Sequence, residues 1–305
     1  MDRKEFIGTG LTALAGFNLM GGTASKVRSS RKPGPRGDHR SMVEEAIAYR
    51  KIDVHNHLRE GAYPADEIDE SCRRVGIDHT VVSNIWADTP EGIRANNDMV
   101  LDAMRDYPDR ILGSCYVNPG WQKEALAEID RCVDQGMVMV GEVYHDYRIT
   151  DPVHFPLIER CIELDIPYLM HAVPHLGYWG AGHQLIGGQP TTSTAHDLKE
   201  IGERYPEAMI IYGHIGGGGD WEYACHVLQD APSIYVDTSG SVTDEALIDT
   251  AVETIGVDRL LFGSDVNYEI SVGKIMHADL TEAEREQIFF DNFNDLLRRA
   301  GNHVD

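Results

Sequence analysis

The chain has 305 residues, 42% hydrophobic and 8% aromatic, which is enough for one large barrel or two ordinary domains and rules out a small disulfide-stapled scaffold. Its 27 Lys and Arg face 50 Asp and Glu, a formal charge of −23, and that excess repels nucleic acid and anionic membrane, so neither is expected as a partner. The five cysteines contain no CxxC pair, which excludes a zinc ribbon and a thioredoxin-type redox motif.

Residues 1–40 carry eight Lys or Arg against three Asp or Glu, the opposite balance to the rest. A basic start followed by a short Gly- and Ala-rich apolar stretch makes 1–23 a candidate export signal, too short to span a bilayer. Arg3-Lys4-Glu5-Phe6-Ile7 resembles the twin-arginine signal, with Lys4 where the second arginine is usual. The expectation is a periplasmic protein, the alternative being a cytoplasmic one with a basic tail. Residues 24–45, rich in Gly, Pro, Ser and charge, are expected to be an unstructured linker, and 46–305 the folded body.

From Lys51 onward β-branched runs alternate with segments of helical apolar spacing. The predicted strands are Ile52–His57, Thr80–Ile85, Ile111–Val117, Val138–Tyr144, Pro167–His171, Met209–His214, Ile234–Thr238 and Leu260–Gly263. Helices are predicted over Ala65–Val75, Ile93–Tyr107, Lys123–Gln135, Val153–Leu164, Ala195–Tyr205, Trp221–Gln229, Asp244–Ile255 and Thr281–Ala300, the last opened by the capping-box spacing Thr281…Glu284. Eight strands, each followed by a helix, have the rhythm of a single-domain α/β fold, the (β/α)8 TIM barrel. An open doubly wound sheet is the runner-up, but no GxGxxG follows the first strand.

In such a barrel every strand delivers its C-terminal end to one mouth, so distant residues meet if each ends a strand. The first strand ends in His55-Asn-His57, two imidazoles on one face. His171 ends the fifth, His214 the sixth, and Asp265 follows the eighth. A single histidine in an apolar run is more often a core residue, but together these five suit a divalent metal.

These motifs resemble the amidohydrolase superfamily, and within it the amidohydrolase-related branch of metal-dependent hydrolases, decarboxylases and lactonases. The resemblance runs over about residues 50–300 and rests on Asp53-x-His55-x-His57, His171, Tyr212-Gly-His214-x-Gly-Gly and Phe262-Gly-Ser-Asp265. It implies that His55, His57, His171 and Asp265 hold the metal, with His214 acting on substrate or binding a second ion. The fourth strand lacks the lysine of many two-metal members. Its Gly141-Glu142 segment resembles one in the TatD-like deoxyribonuclease branch, where the glutamate is a ligand, so Glu142 is either a ligand or a hydrogen-bond partner of a ligating histidine. The acidic charge argues against a nuclease.

The expected cofactor is one or two divalent ions, Zn2+ ahead of Mn2+. A metal lowers the pKa of bound water, Asp265 is the candidate base, and His214 the carbonyl polariser or acid. Arg59 and Arg148, each shortly after a strand, are candidates for a substrate carboxylate, with a surface salt bridge as the alternative. Tyr144 and Asn84 are pocket candidates, and a long loop after His171 carries His175, Tyr178, Trp179 and His183, able to cover the mouth. The leading expectation is a hydrolase of a small-molecule lactone, ester or amide. A non-oxidative decarboxylase of an aromatic or unsaturated acid is the alternative, and a non-catalytic metal- or ligand-binding barrel the third reading. The partner is a small molecule, with a homo-oligomer possible in principle.

Overall fold

The computed structural model describes residues 41–145, 147–172, 192–218 and 221–305. Eight parallel strands lie in chain order: β1 Ile52–His57, β2 His79–Ser83, β3 Ile111–Cys115, β4 Met139–Val143, β5 Tyr168–Met170, β6 Ile210–Tyr212, β7 Ile234–Asp237 and β8 Leu260–Leu261. The Val54 N–H donates to Phe262 O at 2.9 Å and the Asp265 N–H to His55 O at 2.7 Å, which brings the end of β8 back to β1. The fold is thus the expected (β/α)8 barrel, because short β-branched runs separated by amphipathic helices can bury both sheet faces only with helices outside.

The helices are α1 Met42–Ala48, α2 Ala65–Val75, α3 Pro90–Asp106, α4 Gln122–Asp134, α5 Phe155–Leu164, α6 Ala195–Arg204, α7 Trp221–Leu228, α8 Leu247–Thr254, α9 Tyr268–His277, α10 Glu282–Glu286 and α11 Asn292–Arg299. Three departures from expectation stand out. Helix α1 begins inside the stretch expected to be linker, because Ser41 and Glu44 close a capping box. Helix α9 follows the eighth strand, where its Gly273 and β-branched residues gave no helical signal. The segment expected as one helix over Thr281–Ala300 is α10 and α11 joined by a π-turn at Gln287–Asp291. The expected signal over 1–23 and most of the expected linker over 24–45 lie outside the described residues.

Alternate strand residues divide the core. Val82, Val140, Tyr168 and Ile210 pack under the helices, while Val54, Val81, Leu169, Ile211 and Leu261 fill the barrel with Phe293 and Leu297 of α11. Two strands break register. Between β1 and β2 the pairing slips between Asp53 and Asn56, and between β4 and β5 it slips between Val140 and Val143. Such bulges re-aim side chains. In β1, Val54 packs in the barrel while Asp53 and Asn56 join a network with Tyr268 of α9. In β4, Val140 and Val143 both pack under the helices, and the extra residue turns Glu142 toward the mouth. Gly141 makes this bulge possible: its φ is +122°, and a Cβ would stand 2.3 Å from Leu169 O.

Candidate metal centre

The mouth gathers His55 and His57 of β1, Glu142 of β4, His171 just past β5, His214 just past β6 and Asp265 just past β8. Glu142 lies at the centre, 2% exposed. Its Oε2 is 3.5 Å from His55 Nε2 and 3.4 Å from His57 Nε2. Its Oε1 is 2.5 Å from His171 Nδ1 and 2.8 Å from His214 Nε2. Asp265 closes the ring, with Oδ1 3.2 Å from His57 Nε2 and Oδ2 4.0 Å from His214 Nε2. His214 and Asp265 hold their places with φ of +55° and +45°, a left-handed geometry that costs energy in non-glycine residues.

Two donor sets therefore share one glutamate: His55, His57 and Glu142, and Glu142, His171 and His214. The residues fit a divalent ion. His55 Nε2 is buried without a hydrogen-bond partner, a deficit that a metal ion removes. Imidazole nitrogens with carboxylate oxygens suit zinc and manganese alike.

Partners behind the ligands fix their orientation. His55 Nδ1 lies 2.6 Å from Asp237 Oδ2, which holds the proton on Nδ1 and frees Nε2 for a metal. Asp237 also accepts from the backbone N–H of His214 at 3.2 Å and of Ser239 at 2.6 Å. His214 Nδ1 pairs with Ala172 O at 3.1 Å, so Nε2 faces Glu142. Beneath Asp265, the Asp53 carboxylate accepts from Ser264 N at 2.8 Å and Ser264 Oγ at 2.6 Å, tying β1 to the loop that carries Asp265.

The electrostatics without metal follow from this packing. Burial alone would raise the Glu142 pKa, but His171, His214 and His55 outweigh it and hold the carboxyl well below the usual range. Burial disfavours charge on His214, yet Glu142 prevails and lifts it to about 9. For His55, burial is likewise overcome by Glu142 and Asp237, and its pKa rises. Asp265 stays ionised despite burial because His57 donates to it and His55 and His214 are near. His171 goes the other way, since burial outweighs Glu142. Asp53, sealed behind the site, is pushed up to about 6 by burial.

All six ligand-type residues expected from sequence meet here. Tyr144 lies beside them, its ring 4.3 Å from His171. Asn84 is buried at the end of β2 with its amide directed at Met99 Sδ, 3.8 Å away. Arg148 forms the surface salt bridge that was one of its two readings, its Nη1 3.3 Å from Asp197 Oδ2. Arg59 stacks instead on Trp86, its Cζ 4.9 Å from the ring. His175, Tyr178, Trp179 and His183 lie outside the described residues. Sequence reasoning passed over Asp237 and Trp86. Asp237 ends β7, the same positional signal that marks the histidines, and Trp86 follows β2 and sets its ring 5.5 Å from His57.

The sequence model of the amidohydrolase family matches residues 52–299. Among solved structures, the chain is similar to a 2,6-dihydroxybenzoate decarboxylase complexed with 2,6-dihydroxybenzoate, at 18% identity and TM-score 0.64, over 83% of this chain and 100% of that one. It is similar to a putative amidohydrolase from Staphylococcus aureus at 19% identity and TM-score 0.64, over 82% and 99%. It is also similar to a dihydroxybenzoic acid decarboxylase from Polaromonas sp. with bound manganese and 2-nitroresorcinol, at 20% identity and TM-score 0.63, over 82% and 97%.

Proposed function

Because the chain belongs to the amidohydrolase family, we propose that it is a metal-dependent, non-oxidative decarboxylase of a small aromatic carboxylic acid. The observation that carries the proposal is the convergence of four histidines on the buried Glu142 at the barrel mouth, with Asp265 against His57. The likeness of the whole barrel to decarboxylases whose structures hold dihydroxybenzoate, or manganese with nitroresorcinol, favours this chemistry over hydrolysis. His55, His57 and Glu142 would hold the ion, with Asp265 beside it. A divalent ion there supplies a Lewis acid that anchors and polarises substrate oxygens.

The chain's own groups then orient the acid and move the proton. His214, fixed through Nδ1 by Ala172 O, presents Nε2 to the site and delivers a proton to the ring carbon. As the C–C bond to the carboxylate breaks, carbon dioxide leaves, the electron pair stays on carbon, and the proton from Nε2 forms the C–H bond; water reprotonates the imidazole. Asp265, ionised and partly open to the mouth, balances the positive charge of His214 through this step.

A second reading, hydrolysis of a lactone, ester or amide, has one specific observation in its favour. The two oxygens of Glu142 are divided between two histidine pairs, so these residues would offer donors to two ions, which together would supply an activated water and a Lewis acid for hydrolysis. Metal content by mass spectrometry separates the readings. Wild type is compared with His57→Ala and Glu142→Ala, and carbon dioxide release from hydroxybenzoates is measured beside lactone opening. About one zinc or manganese per chain, lost in His57→Ala, with carbon dioxide release, supports the decarboxylase. About two per chain, both weakened in Glu142→Ala, with lactone opening alone, replaces it by the hydrolase. No retained metal overturns both and leaves a ligand-binding barrel.

A further inference from the structure

Several arginines on the barrel's outside pair with carboxylates, and Arg59 does not. In a chain with 50 acidic residues, Arg110 pairs with Asp69, Arg131 with Glu128 and Arg160 with Asp130. Among the described residues, no carboxylate or carbonyl receives the Arg59 guanidinium. It lies on the face of Trp86, 4.9 Å from the ring centroid. Trp86 is 40% exposed, and so is much of Tyr63, whose ring is 6.4 Å away. The other side of this cluster touches the metal centre, because Trp86 presents itself edge-on to His57 at 5.5 Å.

The loop that carries Arg59 is pinned. Arg59 N donates to Tyr63 O at 3.0 Å and Tyr63 N to Arg59 O at 2.8 Å, with Gly61 turning the chain at φ +75°. A guanidinium stacked on an indole keeps its edge N–H donors open and in plane, the geometry that grips a carboxylate through two bonds. The fixed loop and the aromatic shelf reduce the order lost on binding.

We propose that Arg59 and Trp86, with Tyr63 beside them, form an anion-recognising wall at the barrel mouth. It takes a planar aromatic substrate carrying a second acidic group besides the one that reacts at the histidine cluster. This deepens the decarboxylase reading and rests on it for the identity of the reacting group. The arginine takes the substituent that stays. Pairing it with the departing carboxylate would stabilise the ground state and be lost as carbon dioxide leaves, which slows the reaction. The indole supplies a stacking face for the ring, and one aromatic ring separates the arginine from His57.

The test is calorimetric titration of the full-length, manganese-loaded protein with benzoate and with benzene-1,3-dicarboxylate. Wild type is expected to bind the diacid at least about tenfold more tightly. Arg59→Gln should erase that preference, and Arg59→Lys should keep only part of it. Trp86→Leu should weaken both acids, whereas Trp86→Phe should retain most of the binding. Equal affinity for the two acids in wild type, or a preference that survives in Arg59→Gln, overturns the wall. Carbon dioxide release is scored separately. An Arg59-dependent preference without any decarboxylation upholds the wall and removes the decarboxylase reading, while decarboxylation without the preference removes the wall alone.

Discussion

His55 Nδ1 sits 2.6 Å from Asp237 Oδ2, with both side chains fully buried, while the opposite ring nitrogen has no hydrogen-bond partner. The carboxylate fixes the tautomer and raises the basicity of Nε2, so Asp237 acts on a metal through the ring it holds. Asp237→Asn is expected to fold and to bind manganese or zinc about 10–100-fold more weakly, measured by competition with a chromophoric chelator. Unchanged metal affinity with a lowered melting temperature would reduce Asp237 to a structural group.

The same pair gives Gly263 a role. A Cβ at Gly263 would lie 2.3 Å from Asp237 Oδ1 and 3.2 Å from the His55 Cβ, with no positive φ to add backbone strain. Gly263→Ala should therefore push Asp237 away from His55, costing about 1–3 kcal/mol and weakening metal binding in parallel. Gly273→Ala in α9 meets nothing within 4 Å and serves as the control, with stability unchanged or higher by about 0.5–1 kcal/mol. Urea unfolding and chelator competition on both variants check the difference.

Asp265 faces His57 and His214 together. Replacing it with asparagine keeps the shape and removes the charge that balances proton transfer at His214. Turnover on a confirmed substrate should fall about 10²–10⁴-fold, with bound metal retained through His55, His57 and Glu142. Near wild-type turnover would remove Asp265 from the proton-handling machinery.

Much of the barrel is legible because parallel strands buried on both faces read as short apolar runs, and because one rule, that chemistry gathers at strand ends, selects His171, His214 and Asp265 from the rest. Glu142 is legible as a residue type out of place in a core strand. How it reaches the site is not, since nothing in Val140-Gly-Glu-Val announces the bulge that turns it inward; only Leu169 O against Gly141 explains it. Likewise a strict alternation along β1 would put Asp53 with His55 and His57, and the register slip separates them. Asp237 carries the strand-end signal, but its role shows only in the His55 ring that stands across from it, and Trp86, beyond the end of β2, carries no such pattern. Helix α9 lacks a clear apolar stripe, and buries Lys274, whose Nζ donates to Thr238 O at 2.7 Å and Gly240 O at 3.0 Å.

At the opposite end, Lys51 is fully buried, and its Nζ donates to Ala46 O at 2.5 Å, Tyr49 O at 2.8 Å and Gly76 O at 3.1 Å. It thereby joins the end of α1 to the C-cap of α2. Burial lowers its pKa from 10.5 to about 8, against the pull of Asp78. Between those values the unfolded chain holds a proton that the folded protein has released, so stability rises with pH across this window and is flat in this component below it. The contribution is at most about 3 kcal/mol. Lys274, also lowered to about 8 by burial, adds in the same direction. Lys51→Met should therefore flatten the rise in unfolding free energy between about pH 8 and 10.5 by roughly half, leaving the share of Lys274. It should also lose about 1–3 kcal/mol near neutrality as its three carbonyls go unpaired. Urea titrations at several pH values read both effects, and parallel pH curves for variant and wild type would show that Lys51 does not release its proton in this range.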